Sequence, residues 1–264
     1  MIIERRFTSA GEDPFNSFNW IEMDVEIRNP DGSMAESIHG VKLPSGFSGV
    51  PGKVLAQKYL RKAGIPIYLR KVSEDNVPVW LQRSEPDYEK LQTVDKEKRW
   101  VGEIDGRNLF RRLAGTWTYW GWKYGYFASE ADALAYFDEM CYLIASQRSA
   151  PNSPQWFNTG LHWAYGIEGP AQGHHYVDPT TGELRLSSNA YEHPQPHACF
   201  IQSVSDELVG GTGSIMGLWN REALLFKYGS GTGSNFSSIR GKDEPLSGGG
   251  KSSGLLSFLK IGDR

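Results

Sequence analysis

Only two cysteines occur among 264 residues, and one of them, Cys199, stands where a thiol could do redox or radical chemistry. It lies in Pro196-His197-Ala198-Cys199-Phe200-Ile201, beyond a stretch rich in Pro, His and Asn, and it opens a short apolar run. That placement predicts an accessible strand end. Free cysteine is also among the most commonly buried residue types, so the thiol needs suitable company before chemistry is assigned to it. Asn152-Ser153-Pro154 offers a hydroxyl and backbone donors in a sharp turn. Gly229-Ser230-Gly231-Thr232-Gly233 could present backbone N–H groups to a phosphate or a sugar. Asp206 could accept from a ribose hydroxyl, and Arg240 could grip a phosphate with two parallel bonds. Each of these features alone is common.

Other chemistries fit less well. Gly250-Lys251-Ser252 matches the end of a P-loop, but the first glycine of that motif would fall at Pro245, and no apolar strand leads in. His174, His175, His193 and His197 crowd one region, yet no cysteine pair and no histidines four apart on a helix accompany them, so no metal site is read there. A net charge of −3 gives no general pull toward nucleic acid or an anionic membrane. Nowhere do 18 apolar residues run together, and Met1-Ile2-Ile3-Glu4-Arg5-Arg6-Phe7 lacks the pattern of a signal peptide. So few cysteines build no disulfide scaffold, which points to the reducing cytoplasm.

The elements that must position these groups follow from periodicity. Trp20–Arg28 alternates apolar and polar residues and closes on Asn29-Pro30-Asp31-Gly32, the mark of a strand and its turn. A short helix is expected between Lys53 and Ala63, ended by Gly64 and Pro66, and a charged loop from Arg83 to Lys98. Leu109, Leu113 and Trp117 form a helical stripe interrupted by Gly115 and Gly121. Ser129, with Asp132 three residues on, caps the clearest helix; its seam is Leu134, Phe137, Cys141 and Ile144, which makes Cys141 a core residue, and Pro151 ends it. Residues 166–196 are polar and aperiodic, an excursion without an assigned role. A strand from Cys199 to Val204, a helix from about Ser214 to Lys227, a glycine loop, a strand near Asn235 to Arg240 and a helix start at Leu255 complete the reading.

Taken in order, four segments resemble the ribonucleotide reductase large chains, most closely class II, the adenosylcobalamin-dependent kind. They are Asn152-Ser153-Pro154-Gln155-Trp156-Phe157-Asn158, Ala198-Cys199-Phe200-Ile201, Lys227-Tyr228-Gly229-Ser230-Gly231-Thr232-Gly233 and Ser247-Gly248-Gly249-Gly250-Lys251-Ser252-Ser253-Gly254. The resemblance implies an α/β fold: a mostly helical N-terminal region with a β-rich start, then the first part of a ten-stranded α/β barrel, truncated. It divides the chain into a β-rich extension (1–98), a helical region (99–150) and the start of the catalytic barrel with the specificity-effector region (151–264). It further implies that Cys199 is the first member of a reducing cysteine pair. Ser153, Ala198, Cys199 and Gly231 would hold the phosphate and ribose of a ribonucleotide, and Asp206 with Arg240 a deoxynucleotide effector at a homodimer contact. In that family a thiyl radical abstracts the 3′-hydrogen, and the cysteine pair reduces C2′ as water leaves.

The same resemblance places the radical cysteine, the second reducing cysteine and most cobalamin contacts beyond Arg264, so activity is expected only together with the missing C-terminal part. A thioredoxin-type dithiol is the implied reductant. The length resembles the diphosphate-reducing members more than the triphosphate-reducing ones. Two alternatives stay open at this point: a class I large-subunit fragment, and a non-catalytic nucleotide-binding or assembly module.

Overall fold

Alternation from Trp20 to Arg28 does build a strand, β1 (Trp20–Arg28), which pairs antiparallel with β2 (Met34–Pro44). The computed structural model describes residues 1–171, 173–227 and 230–262. In the turn between the strands Gly32 adopts a left-handed φ of 83°, and its N–H donates to the Asn29 carbonyl. One face of the hairpin buries Val25, Val41 and Leu43. Helix α1 (Val50–Lys58) takes Pro51 in its first turn and stops at Lys58, before the expected end at Ala63. The reason is local competition. The Tyr59 carbonyl accepts from Arg112 and the Arg61 N–H donates to Glu103, so this backbone is drawn into a buried ion pair instead of a further turn.

The Arg83–Lys98 stretch is a correction to the sequence reading, because it is not a plain loop. Strands β3 (Ile65–Pro66), β4 (Leu69–Lys71) and β5 (Ser84–Pro86) precede helix α2 (Tyr88–Gln92), and β4 pairs with β5. Asp87 caps α2 by accepting from the Lys90 N–H at 3.2 Å. Strand β6 (Trp100–Val101) pairs with β3. These elements span two to five residues, too short to show a period.

Helix α3 (Gly106–Lys123) then runs 18 residues straight through Gly115 and Gly121, which were expected to interrupt it. Those glycines serve close approach. A Cβ at Gly115 would stand 2.2 Å from the Trp163 ring, and one at Gly121 2.7 Å from Phe127. Helix α4 (Glu130–Ala145) begins at the Ser129 cap as read, but it ends at Ala145, well before Pro151, where Gln147 turns left-handed at φ 59°. Glu139 on α4 accepts from the backbone of Arg6, Phe7 and Thr8, and so ties the first residues to the helix. Leu109, Phe110 and Leu113 of α3 share one core with Cys141 and Ile144 of α4 and with the β1–β2 face. Helices α5 (Ser153–Asn158) and α6 (Leu161–Tyr165) follow, separated by Gly160 at φ 86°. The polar excursion contains a hairpin, β7 (His175–Val177) with β8 (Leu184–Leu186), turned by Asp178 accepting from Thr180 and Thr181.

The chain divides into two compact units, Met1–Pro196 and His197–Arg264. In the second, β9 (Cys199–Ser203) leads to α7 (Ile215–Lys227) and then to β10 (Gly231–Asn235), which pairs parallel with β9. The glycines expected to form a loop are therefore a strand, and the strand expected at Asn235–Arg240 is a turn with Ser237 N–H on Asn235 Oδ1. Tyr228 and Gly229 of that expected loop lie outside the described residues. Glycine suits β10 because its neighbours lean over it: a Cβ at Gly233 would stand 3.1 Å from Ile201 Cδ1. Val204, Ile215 and Leu218 form the core, flanked by Trp219, Phe236 and Phe258 of α8 (Leu255–Gly262). The architecture is mixed α/β, and among the described residues β9 and β10 form a two-stranded sheet rather than a closed barrel.

Candidate active site

Parallel pairing of β9 and β10 decides where the thiol sits. Cys199 lies opposite Gly231 at the first register position, and the Gly231 N–H donates to the Ala198 carbonyl at 2.6 Å. A Cβ on Gly231 would meet Cys199 Sγ at 3.2 Å. The sulfur thus rests over a residue with no side chain, and Cys199 is exposed and free. Ala198, Cys199 and Gly231 lie together at one strand end. Cys141, by contrast, is wholly buried in the first unit's core, and burial pushes its thiol well above the ordinary range. It is no partner for a redox exchange.

The strand pair is braced from α7. Gln202 donates to Thr232 Oγ1 at 2.6 Å and accepts from Arg221 Nε at 2.7 Å, while a second Arg221 nitrogen reaches the Ser203 carbonyl. Ser234 donates to Glu222 at 2.9 Å. A concavity of about 470 Å³ opens beside β9, bounded by Phe200, Gln202, Arg221 and Leu224. Periodicity gave no signal for Gln202 or Arg221, because their partners are side chains 30 and 19 residues away.

Ser153 belongs to the first unit. Its exposed hydroxyl lies 3.2 Å from the Tyr59 hydroxyl, and Tyr59 stacks on Trp156 with ring centroids 5.4 Å apart. Helix α5 has six residues, too few to stand alone, and a buried hub fixes it. Arg112 Nε and Nη2 donate to the Glu103 carboxylate at 2.7 and 3.2 Å, both side chains being fully buried. The same guanidinium donates to the carbonyls of Trp156 at 2.8 Å and Thr159 at 2.6 Å, on and just beyond α5. Tyr165 donates to Glu103 at 2.8 Å, and burial, followed by the Glu103 charge, raises the Tyr165 phenol well above its usual value. Sequence reasoning missed this hub. The available signal was a charged residue, Arg112, on the same helical face as Leu109 and Leu113.

Asp206 and Arg240 meet each other. Arg240 Nε donates to Asp206 Oδ2 at 2.5 Å and its backbone N–H to Oδ1 at 3.2 Å, and the Arg240 hydrogen bond lowers the Asp206 carboxyl. A further Arg240 nitrogen donates to the Pro245 carbonyl at 2.9 Å. The pair pins the turn after β10 to the segment after β9. Gly250-Lys251-Ser252 lies in a hairpin closed by the Pro245–Lys251 bridge, unlike a phosphate loop. Among the histidines, His174 Nε2 approaches the His193 carbonyl at 2.5 Å and His193 stacks on Tyr176. Among the described residues no three His, Cys, Asp or Glu side chains gather as a metal site would require.

Comparison with known families gives two matches. The family described as class II vitamin B12-dependent ribonucleotide reductase matches residues 22–147, and the one described as ribonucleotide reductase, barrel domain, matches residues 197–264. Proteins named vitamin B12-dependent ribonucleotide reductase are similar over the whole chain. Those of Bradyrhizobium diazoefficiens and Agrobacterium fabrum are 60% and 61% identical over 264 residues, covering 100% of this chain and 21% of each relative. That of Streptomyces coelicolor is 30% identical over 266 aligned positions, covering 99% of this chain and 20% of the relative. The chain therefore spans about a fifth of the length of the curated relatives it matches.

Proposed function

Because the chain belongs to the class II, vitamin B12-dependent ribonucleotide reductases, we propose that it forms the part of such an enzyme that carries one reducing thiol, Cys199. The observation that carries this reading is the exposed Cys199 Sγ seated over Gly231 at the end of a parallel strand pair, within the segment that matches the barrel domain. The earlier alternative of a class I large subunit is set aside by the class II match.

In this reading the ribonucleotide lies against the strand end, with Ser153, the Ala198–Cys199 backbone and Gly231 holding phosphate and ribose. Cys199 and a second thiol each give up one electron and one proton and join as a disulfide. The C2′–O bond of the ribose breaks, a C2′–H bond forms, and the oxygen leaves as water. Cys141 is excluded as the second thiol by its burial. A thioredoxin-type dithiol then reduces the disulfide. The reductase of which we propose this chain forms part uses adenosylcobalamin. No residue here is assigned to that cofactor, and no step is routed through it. No helix among the described residues is long and apolar enough to cross a membrane, and we place the enzyme in the cytoplasm. The proposed substrate is a ribonucleoside diphosphate, and the proposed assembly a homodimer with a deoxynucleotide effector at Asp206 and Arg240.

The test uses the intact reductase polypeptide containing these residues, with adenosylcobalamin and a dithiol. Cys199→Ser should abolish multiple turnover while leaving nucleotide binding unchanged, and undiminished steady-state turnover removes Cys199 from the mechanism. Running ribonucleoside di- and triphosphates side by side decides the substrate. Arg240→Ala should weaken deoxynucleotide effector binding about tenfold or more, the usual scale for losing a charge-assisted contact, and should affect substrate less. The reverse order would overturn the effector assignment.

A further inference from the structure

The Ser153 hydroxyl has one neighbour to which the reductase reading gives no task. Serine hydroxyls near a helix start commonly turn back on their own backbone, but Ser153 Oγ does not. Its partner is the Tyr59 hydroxyl at 3.2 Å, and among the described residues neither oxygen has another. The separation is long for two hydroxyls, and hydrogen bonds in binding sites often tighten only when the complex forms. Ser153 is exposed and Tyr59 half-buried, so the pair borders solvent.

Tyr59 is held at three points. Its N–H donates to the Leu55 carbonyl at 3.0 Å, its carbonyl accepts from Arg112 Nη2 at 3.3 Å, and its ring stacks on Trp156. The same Arg112 nitrogen donates to the Trp156 carbonyl at 2.8 Å, on the helix that begins at Ser153. One buried guanidinium therefore anchors the backbone behind each hydroxyl, although 94 residues separate the two in sequence. An incidental surface contact would not be fixed from both sides in this way.

Counting hydrogens gives the pair a direction. Two hydroxyls carry two hydrogens, and the bond between them uses one, so one O–H remains to donate outward. A phosphate oxygen only accepts. Where Ser153 meets phosphate, its hydrogen must point outward, and Tyr59 must then donate to Ser153 Oγ. A phenol is the stronger donor of the two, which favours that order. The Tyr59 bond also polarises the serine and strengthens its outward bond, as in other hydrogen-bond chains. We propose that Tyr59 is a positioning residue for substrate, donating to Ser153 Oγ and aiming the Ser153 O–H at a phosphate oxygen of the ribonucleotide. This rests on the assignment of Ser153 to substrate binding made above.

The test again uses the intact reductase polypeptide with adenosylcobalamin and a dithiol, and compares KM, kcat and the melting temperature. Tyr59→Phe keeps the ring on Trp156 and removes only the hydroxyl. It should raise KM about twofold to tenfold, the scale of one neutral hydrogen bond, with kcat changed much less. Ser153→Ala should raise KM about tenfold or more, as for a bond to a charged group, and Ser153→Thr, which keeps a hydroxyl, should restore it. Adding Tyr59→Phe to Ser153→Ala should cost nothing further, because Tyr59 acts through the serine. If Ser153→Ala raises KM and Tyr59→Phe does not, whatever happens to the melting temperature, Tyr59 is a structural tether and the proposal is overturned while the Ser153 assignment stands. Independent, multiplying effects of the two substitutions overturn it as well. If Ser153→Ala leaves KM unchanged, the assignment itself falls and takes the proposal with it.

Discussion

The two units hold their functional groups by opposite means. In the first, Ser153 is positioned from below by a fully buried Arg112–Glu103 pair that answers four backbone groups as well as each other. In the second, Cys199 is positioned by strand register and by the lack of a side chain at Gly231, with the bracing polar groups at half-exposed positions. In its proposed role Ser153 only binds, and such a hydroxyl can be locked by dense internal bonding. In its proposed role Cys199 forms and breaks a disulfide, which needs open space beside the sulfur, and glycine supplies that at little cost in contacts.

The largest effect that would test this contrast is loss of the hub. Arg112→Ala leaves the Glu103 charge buried and unpaired, a change that costs about 3–5 kcal/mol, and denaturant unfolding should show the first unit lost while the β9–β10 region keeps its own transition. Removing both charges, Arg112→Met with Glu103→Leu, often restores stability at a simple buried pair. Here it should not, because the carbonyls of Tyr59, Trp156 and Thr159 and the Arg61 N–H would be left without partners. A fully stable double variant would reduce the hub to an ordinary ion pair.

A middle-sized effect is expected at Gly115. Alanine gains about 1 kcal/mol of helix propensity, but its Cβ would stand 2.2 Å from Trp163. Overpacking of about 1–3 kcal/mol wins, so Gly115→Ala should lower the melting temperature, and a rise would show that the ring moves freely. The smallest effect is at Gly231. A Cβ there meets only the movable Cys199 Sγ at 3.2 Å and the Ala198 carbonyl at 3.7 Å. Gly231→Ala should leave stability nearly unchanged and slow alkylation of Cys199 severalfold, whereas equal rates would mean that the glycine does not set the thiol's freedom.

What the sequence made legible follows the range of the interactions involved. Strand β1 with its turn, the Ser129 cap of α4, the burial of Cys141 and the exposed strand position of Cys199 all rest on neighbours within a few residues, and periodicity or capping finds them. Helix α3 and strand β10 were misread at their glycines, because local propensity treats glycine as a breaker while distant side chains, Trp163 and Ile201, use it as a seat. The partners of the hub were hidden for the same reason, since Arg112, though marked by its place on an apolar face, meets Tyr59 and Thr159 across 53 and 47 residues. The family was legible from the order of four motifs rather than from any single one of them.

The hub also fixes a timescale. A helix of six residues would ordinarily fray and let its amide protons exchange with water quickly. Because α5 surrenders its Trp156 carbonyl to a guanidinium that is simultaneously committed to Glu103, Tyr59 and Thr159, it cannot open alone without leaving buried guanidinium N–H donors unanswered in the core. Its protons should therefore exchange at the pace of the whole first unit, so that the short turn bearing Ser153 inherits the lifetime of the core beneath it.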